Sequence, residues 1–315
     1  MENHVRITRV SAGLAIASAL AMTLAACSSG SSTTSSASAA APASSAAASG
    51  SAAAGEDLSG LVPQPIKDKG YISVAADIPY APMEFEDADG NLTGLDYDLA
   101  QAVGQKLGIE LRFEKQAWDS IIPSLQSGRH DVIWSSMNDT EERQQTLDFV
   151  DYYKAGFAIL VAKGNPEGIK TIADLCGKTV AVQTATVQGD LLKAYSKDSC
   201  NGKDITIQEF PQDPDALNAI RAGKAVADVS DAAIAAYAAQ TAGDGQYFEV
   251  VVDPANPNGY DSVYTGVGVL KKDTALRDAI QAGVNAIIAD GTYQQILDKW
   301  NLSSYAIPQA LINSK

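Results

Sequence analysis

The residues best suited to chemistry stand in one short stretch, residues 135–143, which reads S-S-M-N-D-T-E-E-R. We interpret 131–134 as a buried strand, 135–139 as a polar turn at its carboxyl end, and Arg143 as part of a short capped helix. In open α/β sheets, ligands bind just outside the carboxyl ends of strands. An arginine at that place offers a planar fork that matches a carboxylate. The stretch therefore predicts a site for a ligand that carries a carboxylate.

A purely structural interpretation of the same stretch is also open. Asp139 can cap a surface helix and pair with Arg143 four residues later. The choice between the two depends on whether the rest of the chain supplies the other half of a site.

Metal and histidine chemistry find little support in the sequence. The two histidines are His4 and His130, and no His or Cys pair has the spacing of a metal site. We therefore expect no metal, no cofactor and no catalytic residue. The net charge of −15 also speaks against nucleic acid as a partner.

The first 27 residues are typical of a signal peptide. Basic residues extend to Arg9, and the apolar run at 10–22 is too short to span a membrane. Leu24-Ala25-Ala26-Cys27 resembles the lipobox of bacterial lipoproteins, which implies lipid attachment at Cys27. A cysteine buried in an ordinary apolar helix is the alternative.

Residues 28–56 are almost wholly Ser, Ala, Gly and Thr, and they contain no large apolar side chain. Such a composition cannot bury a core, so we expect a disordered tether. The folded part then begins near Asp57. It has about 255 residues, which suits one large α/β domain or two lobes.

Besides Cys27, the chain contains Cys176 and Cys200. In an exported chain, an even remainder of cysteines predicts one disulfide. It would close a loop of about 25 residues and stabilise the fold by roughly 3 kcal/mol. Two buried free thiols are the alternative.

The folded part reads as two α/β units in series. Strands at 71–77, 110–115 and 131–134 alternate with helices at 94–107 and 118–128, which implies a parallel sheet. A second unit follows, with strands at 179–183, 205–210 and 225–229 and helices at 171–175, 186–195, 214–222 and 232–239. A strand at 263–270 and helices at 275–289 and 293–300 close the chain. We therefore expect lobe 1 to comprise 57–154 plus 263–315, and lobe 2 to comprise 155–262.

Three motifs in this order carry a resemblance to a known family. They are G-L-D-Y-D-L at 94–99, S-S-M-N-D-T-E-E-R at 135–143, and D-G-T-Y-Q-Q-I-L-D-K-W at 290–300. Together, over residues 70–302, the chain resembles the extracellular solute-binding proteins that supply polar amino acids to ABC transporters. Tyr97 stands where an aliphatic residue is usual. The resemblance implies an α/β, two-lobed periplasmic-binding-protein (Venus flytrap) fold of type II with a two-strand hinge.

The resemblance also implies nine ligand-binding residues, drawn from both lobes: Asp77, Tyr80, Trp118, Ser136, Asn138, Arg143, Gln183, Thr186 and Asp231. Arg143 would hold the ligand α-carboxylate, helped by Asn138 and by Thr186 at the start of a helix. Asp231 would take the α-ammonium. As alternatives, Thr186 and Asp231 can each be a helix N-cap.

The remaining five residues would surround the ligand side chain. Tyr80 and Trp118 would form aromatic walls, although isolated aromatic residues are more often part of the core. Asp77, Ser136 and Gln183 would face the far end of the side chain.

Besides Tyr97, the sequence departs from the family pattern at four positions. Ala185 and Val187 replace the usual Gly and Thr on either side of Thr186, so a hydroxyl is lost and the turn is tighter for a Cβ. Asn138 stands where Ser or Thr is usual, and Val226 where an Asp commonly precedes the last strand.

The ligand side chain is expected to donate hydrogen bonds, because Asp77 is acceptor-only. Lys, Arg, ornithine, His and the amide of Gln meet this condition. Ser135-Ser136 resembles the basic-amino-acid binders, so a basic amino acid is favoured, followed by glutamine.

The implied mechanism is a clamp in which the chain bends near 152–156 and 258–265, and the second lobe completes the ion pairs. A monomer is expected, held by its lipid anchor at the outer face of the cytoplasmic membrane. Its closed form would dock on an ABC permease driven by a cytoplasmic ATPase. The alternatives are a ligand sensor for a membrane receptor and an enzyme that resembles cyclohexadienyl dehydratase on the same fold, with Asp77, Glu84 and Asp231 as its cleft acids.

Overall fold

Residues 57–315 form twelve β-strands and eight α-helices in the computed structural model. The predicted signal peptide with Cys27 and the predicted tether at 28–56 lie outside the described residues. Within the described part of the chain, no helix combines the length and the apolar character needed to cross a bilayer.

The strands are β1 (Tyr71–Ala76), β2 (Phe85–Glu86), β3 (Leu92–Thr93), β4 (Glu110–Lys115), β5 (Val132–Asn138), β6 (Leu147–Ala162), β7 (Thr179–Gln183), β8 (Thr206–Phe210), β9 (Ala227–Asp231), β10 (Phe248–Val250), β11 (Tyr260–Leu270) and β12 (Ala306–Ile312). The helices are α1 (Gln64–Lys69), α2 (Leu95–Leu107), α3 (Ile121–Gln126), α4 (Val187–Ser199), α5 (Asp213–Arg221), α6 (Ala232–Thr241), α7 (Thr274–Ala289) and α8 (Thr292–Lys299). Single 3₁₀ turns lie at Trp118–Ser120, Arg143–Gln145 and Ile172–Leu175.

One mixed sheet links two parallel halves. Its strand order is β4-β1-β5-β11-β6-β9-β7-β8, with β10 and β12 also paired to β6. The strands β4, β1 and β5 are parallel to each other, and so are β9, β7 and β8. We call the first half lobe 1 and the second lobe 2. The expected α/β character is confirmed.

The two lobes share β6 and β11, the crossing strands. At its start β6 pairs with β11 and β12, whereas its last residues pair with β9 and β10. The crossing strands approach closely at Gly156 and Gly259. A Cβ on Gly156 would lie 2.5 Å from the carbonyl oxygen of Asn258, so glycine is required there. The exact lobe boundaries stay a prediction.

Each lobe has its own apolar core. In lobe 1, α2 places Leu95, Leu99, Val103 and Leu107 on one buried stripe at helical spacing. The helix ends at Gly108, which adopts the left-handed conformation that favours glycine.

In lobe 2, a second cluster forms around Phe157, Val182 and Leu192, and it contains Cys200. The predicted disulfide between Cys176 and Cys200 is present, with the two Cα atoms 5.3 Å apart.

The predicted turn at 135–139 is wrong, because β5 continues through these residues to Asn138. Met137 and Asn138 pair with Gly266 and Thr265 of β11, so the backbone stays in the sheet. Ser136 has φ of 48°, and this local kink redirects the end of the strand.

The helix predicted around Arg143 is a single 3₁₀ turn. Its N-cap is Glu142, and the Thr140 hydroxyl rather than Asp139 accepts a hydrogen bond from the Arg143 backbone N–H, at 3.2 Å. Asp139 accepts from Gln144 and from the backbone of Lys315, so the alternative pairing of Asp139 with Arg143 is not observed.

Candidate ligand-binding site

Three acceptor or amide side chains reach the cleft from the ends of parallel strands. Asp77 follows β1 of lobe 1, whereas Gln183 ends β7 and Asp231 ends β9 of lobe 2. All three side chains are buried. Within each lobe, the carboxyl ends of the parallel strands meet at one edge. The parallel strands of lobe 2 run opposite to those of lobe 1, because β5, β11, β6 and β9 pair antiparallel in succession, so the two edges face each other.

A small cavity lies between the lobes where these edges face each other, with a volume of about 10 Å³. Its lining residues are Asp77, Tyr80, Trp118, Ser136, Asn138, Gln183, Thr186, Gln188 and Asp231. Eight of the nine predicted site residues therefore line one cavity. The space is about that of one water molecule, so an amino acid enters only if the lobes separate.

Direct hydrogen bonds between the lobes fill the cleft. Gln183 Nε2 donates to Asp77 Oδ2 at 2.5 Å, and Asn138 Nδ2 donates to Asp231 Oδ1 at 3.3 Å. At the rim, the indole N–H of Trp118 donates to the carbonyl of Ala185 at 3.0 Å. The lobes thus present complementary polar groups that a polar ligand can bridge in place of these bonds.

Arg143, the ninth predicted residue, lies just outside this cavity. It lines a neighbouring pocket of about 380 Å³ together with Trp118 and Thr186. Its guanidinium donates to the backbone carbonyls of Asn138 at 3.0 Å and of Ala185 at 3.4 Å.

Arg143 stays charged at neutral pH. Burial lowers the pKa of Arg143 to about 10, and the charge of Asp231 opposes this shift. The guanidinium lies 5.3 Å from the centre of the Trp118 ring, an aromatic contact that holds its plane. The group is therefore a fixed cation at the mouth of the cleft.

Asp231 is the counterpart of opposite sign. It is the residue before α6, but its side chain makes no capping hydrogen bond. Instead it accepts from Asn138 and, at 3.0 Å, from Gln188. Burial raises the pKa of Asp231 to about 6, while the bond from Asn138 and the charge of Arg143 oppose the rise. A bound ammonium would stabilise its ionised form.

The pKa of Asp77 is also subject to opposing effects. Burial raises the pKa of Asp77, and hydrogen bonds from Gln183 and Gln212 offset only part of the effect. The carboxylate is thus poorly solvated and favours a cationic or strongly donating partner.

Ser136 is held by side chains beneath the cavity. Its backbone N–H donates to Asp96 Oδ2 at 2.6 Å, and its hydroxyl lies 2.8 Å from the hydroxyl of Tyr153. Tyr152 donates to the other oxygen of Asp96 at 2.6 Å. The acid of the G-L-D motif therefore fixes the kinked end of β5 without lining the cavity.

Thr186 is both a cavity residue and a helix cap. Its hydroxyl accepts from the backbone N–H of Gly189 at 3.3 Å and donates to the carbonyl of Gln183 at 2.7 Å. Ala185 has φ of 56°, in the left-handed region that favours glycine, so the Cβ at this departure from Gly is strained.

Three polar residues at the cleft were not foreseen. Gln188, in the first turn of α4, lines the cavity and binds Asp231. Gln212 donates to the carbonyl of Ile78 at 3.4 Å, and Asp213 follows it at the start of α5. Their positions in the sequence could have identified them as cleft residues, because all three follow the carboxyl ends of β7 or β8.

Metal binding gains no support from this geometry. Among residues 57–315, no group of three or more His, Cys, Asp or Glu side chains is arranged to hold a metal ion. Glu84 is fully buried, bonds to Ser135, and does not line the cavity.

The sequence model of the bacterial extracellular solute-binding proteins, family 3, matches residues 72–303. The chain belongs to this family. The family match also confirms the resemblance inferred from the three motifs, and it places the chain among extracellular proteins.

The chain is also similar to amino-acid-binding proteins of known name or structure. The chain is 31% identical over 264 residues to the arginine-binding protein ArgT of Corynebacterium glutamicum, covering 82% of this chain and 83% of that protein. The ancestral amino acid-binding protein AncCDT-1, a precursor of cyclohexadienyl dehydratase, is 33% identical with a TM-score of 0.66, over 75% of this chain and 97% of that one. The substrate-binding protein of an amino acid ABC transporter is 25% identical with a TM-score of 0.64, over 73% of this chain and 99% of that one. All three are described as binding proteins.

Proposed function

We propose that this family 3 solute-binding protein binds a basic amino acid and delivers it to an ABC importer. The observation that carries the proposal is the placement of three charges at one cleft. Arg143 is a fixed cation at the mouth, Asp231 a buried carboxylate beside it, and Asp77 a second carboxylate in the opposite lobe. A basic amino acid carries the three charges that complement them.

Binding proceeds as a clamp in this proposal. The ligand α-carboxylate pairs with Arg143, helped by Asn138 and Thr186, and the α-ammonium pairs with Asp231. Tyr80 and Trp118 flank the side chain. Closure exchanges the direct bonds between the lobes for bonds to the ligand, so the ligand stabilises the closed form.

The side chain then reaches Asp77, near Ser136 and Gln183. The relative that binds arginine favours the same ligand class. Glutamine is the second choice, because its amide can donate to Asp77 but carries no charge.

The protein acts as a monomer at the outer face of the cytoplasmic membrane, anchored through Cys27 and a tether at 28–56. The tether raises the local concentration of loaded protein at the permease, which the cytoplasmic ATPase drives. The residues at 152–156 and 258–265 form the hinge. A sensor role with a membrane receptor would use the same clamp, and uptake assays after deletion of the permease separate the two.

Thermal melting tests the binding proposal. The protein is unfolded and refolded to remove carried-over ligand, then melted with each of the twenty L-amino acids, ornithine and citrulline. A ligand that binds only the folded state raises the midpoint by mass action. A shift with Arg, Lys, His or ornithine supports the proposal. A shift only with Gln, Glu or Asp keeps the clamp but refutes the choice of a basic side chain.

The dehydratase alternative loses one of its acids in this geometry. Glu84 lies beneath Ser135 rather than at the cavity, and burial together with the charge of Asp96 raises its pKa well above the usual range. Binding therefore remains the function that the site supports best.

A further inference from the structure

Two buried carboxylates of lobe 2 stand outside the nine predicted site residues, one at the start of α5 and one within β9. Asp213 is the first residue of α5, close to the carboxyl end of β8, and Asp228 lies within β9. Asp213 is 6% exposed and Asp228 is 0% exposed. We call these two residues the lobe 2 acidic pair.

The segment that carries Asp213 faces Asp77 across the cleft. Gln183 Nε2 donates both to Asp77 Oδ2 at 2.5 Å and to the carbonyl of Pro211 at 3.2 Å. Gln212 Nε2 donates to the carbonyl of Ile78, the residue after Asp77. Asp213, the residue after Gln212, therefore lies close to the gap that Asp77 bounds from lobe 1, just outside the cavity lining.

Asp228 is the member of the lobe 2 acidic pair that lacks a partner within residues 57–315. Among the described residues, neither carboxylate oxygen of Asp228 has a hydrogen-bond partner, although both are buried. Asp228 pairs in register with Leu160 and Ala181, in the middle of the sheet. A buried carboxylate without a partner is costly, so a proton or a cation close to it is favoured.

The charges that act on Asp213 are all negative. Burial raises the pKa of Asp213 well above its usual range, and the carboxylates of Asp228, Asp231 and Asp77 raise it further. Burial also raises the pKa of Asp228 to about 7. A cation that enters this gap would relieve the repulsion among these groups.

The carboxylates that stay unpaired in the proposed clamp indicate which cationic side chain the ligand carries. In the proposed clamp, the α-carboxylate of the ligand neutralises Arg143 and the α-ammonium neutralises Asp231. Asp77 and the lobe 2 acidic pair are left over, on two sides of one gap. A guanidinium has donors along more than one edge and can bridge two carboxylates, whereas an ammonium is a compact point charge.

We infer that Asp213 is a further specificity-determining residue, which shares the guanidinium of a bound arginine with Asp77 while Asp228 adds negative potential from beneath. The inference rests on the proposed function and narrows its ligand class to a guanidinium side chain. The amide of Gln183, which now donates into this gap, would be displaced by the guanidinium N–H groups.

Titration calorimetry of the full chain with arginine, lysine and citrulline tests the inference. Citrulline has nearly the shape of arginine but no side-chain charge. In Asp213→Asn, we expect arginine affinity to fall by about tenfold or more, lysine affinity to fall less, and citrulline affinity to stay within about threefold. Asp215→Asn, an exposed acid on the same helix, is the matched control and should leave all three affinities unchanged.

A second measurement distinguishes a lost ligand contact from a loss of fold stability. Because Asp213→Asn removes a buried carboxyl whose ionisation the neighbouring carboxylates oppose, its melting midpoint without ligand should equal or exceed that of the wild type. If this variant does not fold, Asp213→Ser takes its place with the same expected affinities. Equal losses for arginine and citrulline, or an unchanged arginine affinity, would overturn the inference. A wild type that binds no amino acid would instead refute the proposed function.

Discussion

The carboxylate of Asp77 and the side-chain amide of Gln183 meet across the cleft, with 2.5 Å between Oδ2 and Nε2. One residue comes from each lobe, and neither group is exposed to solvent. The bond shows what Asp77 requires, namely a donor that reaches it from the other side of the gap.

Replacing Asp77 should change ligand choice more than it changes the fold. In Asp77→Asn, the buried carboxylate becomes a neutral amide, so a cationic side chain loses its charge partner. We expect arginine and lysine affinity to fall by roughly 2–3 kcal/mol, with glutamine affinity nearly kept. Titration calorimetry checks this, with Asp87→Asn, an exposed acid, as the control. A parallel loss for glutamine would contradict the assignment.

Replacing Arg143 should abolish binding of every amino acid ligand. Arg143→Ala leaves the ligand α-carboxylate without its cation, at an expected cost of about 2–5 kcal/mol. Arg143→Lys keeps the charge but loses the bidentate fork, so a partial loss is expected. Arg112→Ala serves as the control, because Arg112 is exposed and pairs only with Glu110 among acidic side chains of the described chain. Unchanged affinity in Arg143→Ala, measured by calorimetry, would refute the carboxylate site.

Ligand affinity should fall in mild acid because of Asp231. Burial raises the pKa of Asp231 to about 6, and its ionised form is the one that binds an ammonium. Below that pH the carboxyl must lose a proton before it can pair, so the dissociation constant should rise by up to about tenfold per pH unit. Calorimetry between pH 5 and 8 measures this slope. A flat profile would argue against Asp231 as the ammonium partner.

Asp148 and Asp151 lie three residues apart in β6. They should make the free energy of unfolding depend on pH with opposite sign. Burial raises the pKa of Asp151 to about 7, and one of its oxygens has no partner among the described residues. The folded state therefore binds more protons than the unfolded state between about pH 4 and 7, and the free energy of unfolding falls as pH rises through that window. Asp151→Asn should stabilise the protein by roughly 1–3 kcal/mol at pH 8 and have little effect at pH 4.

Asp148 is the matched case. Burial alone would raise the pKa of Asp148. Hydrogen bonds from Asn313, Arg277 and Lys271 outweigh burial and hold this pKa below its usual range. The stability that Asp148 contributes to the folded state is present above the pKa of the unfolded state and is lost as pH falls through the folded pKa. Asp148→Asn should therefore destabilise the protein by about 1–2 kcal/mol at pH 8. Urea unfolding at both pH values measures the two variants, and shifts of the same sign would contradict the account.

The disulfide should stabilise the protein without shaping the ligand site. Cys176 and Cys200 are 24 positions apart, so the loop-entropy model predicts a loss of roughly 3 kcal/mol when both become Ser. Ligand affinity at 25 °C should be unchanged, because neither cysteine lines the cavity. Urea unfolding and calorimetry on the double variant check the two halves of this prediction.

The positions of Asp77 and Asp231 at strand ends could be predicted from the sequence, because each follows a buried apolar run. Their assignment to a ligand site depended on the resemblance to the family. The end of β5 could not be predicted, since Ser-Ser-Met-Asn has the composition of a turn. Pairing with β11, a contact between residues more than a hundred positions apart, keeps it extended.

Gln188 and Asp213 were missed for a related reason. Each lies in the first turn of a helix, where a polar residue has an ordinary explanation as a solvent-facing or capping side chain. These positions belong to the cleft only because the opposite lobe lies against them, and the sequence of one helix does not show this. The length of β6 was also missed, because polar residues and Gly156 interrupt its apolar pattern.

The crossing strands constrain how this protein could be recombined with its relatives. Because β6 and β11 belong to both lobes, lobe 2 has no boundary at which a single cut would leave a complete sheet. Expressed alone, it would present two long strands with unpaired edges, which invite aggregation. An exchange of ligand specificity by grafting lobe 2 must therefore join both strands in the same register. Where the graft points fall near Gly156 and Gly259, each donor must supply glycine or an equally close backbone.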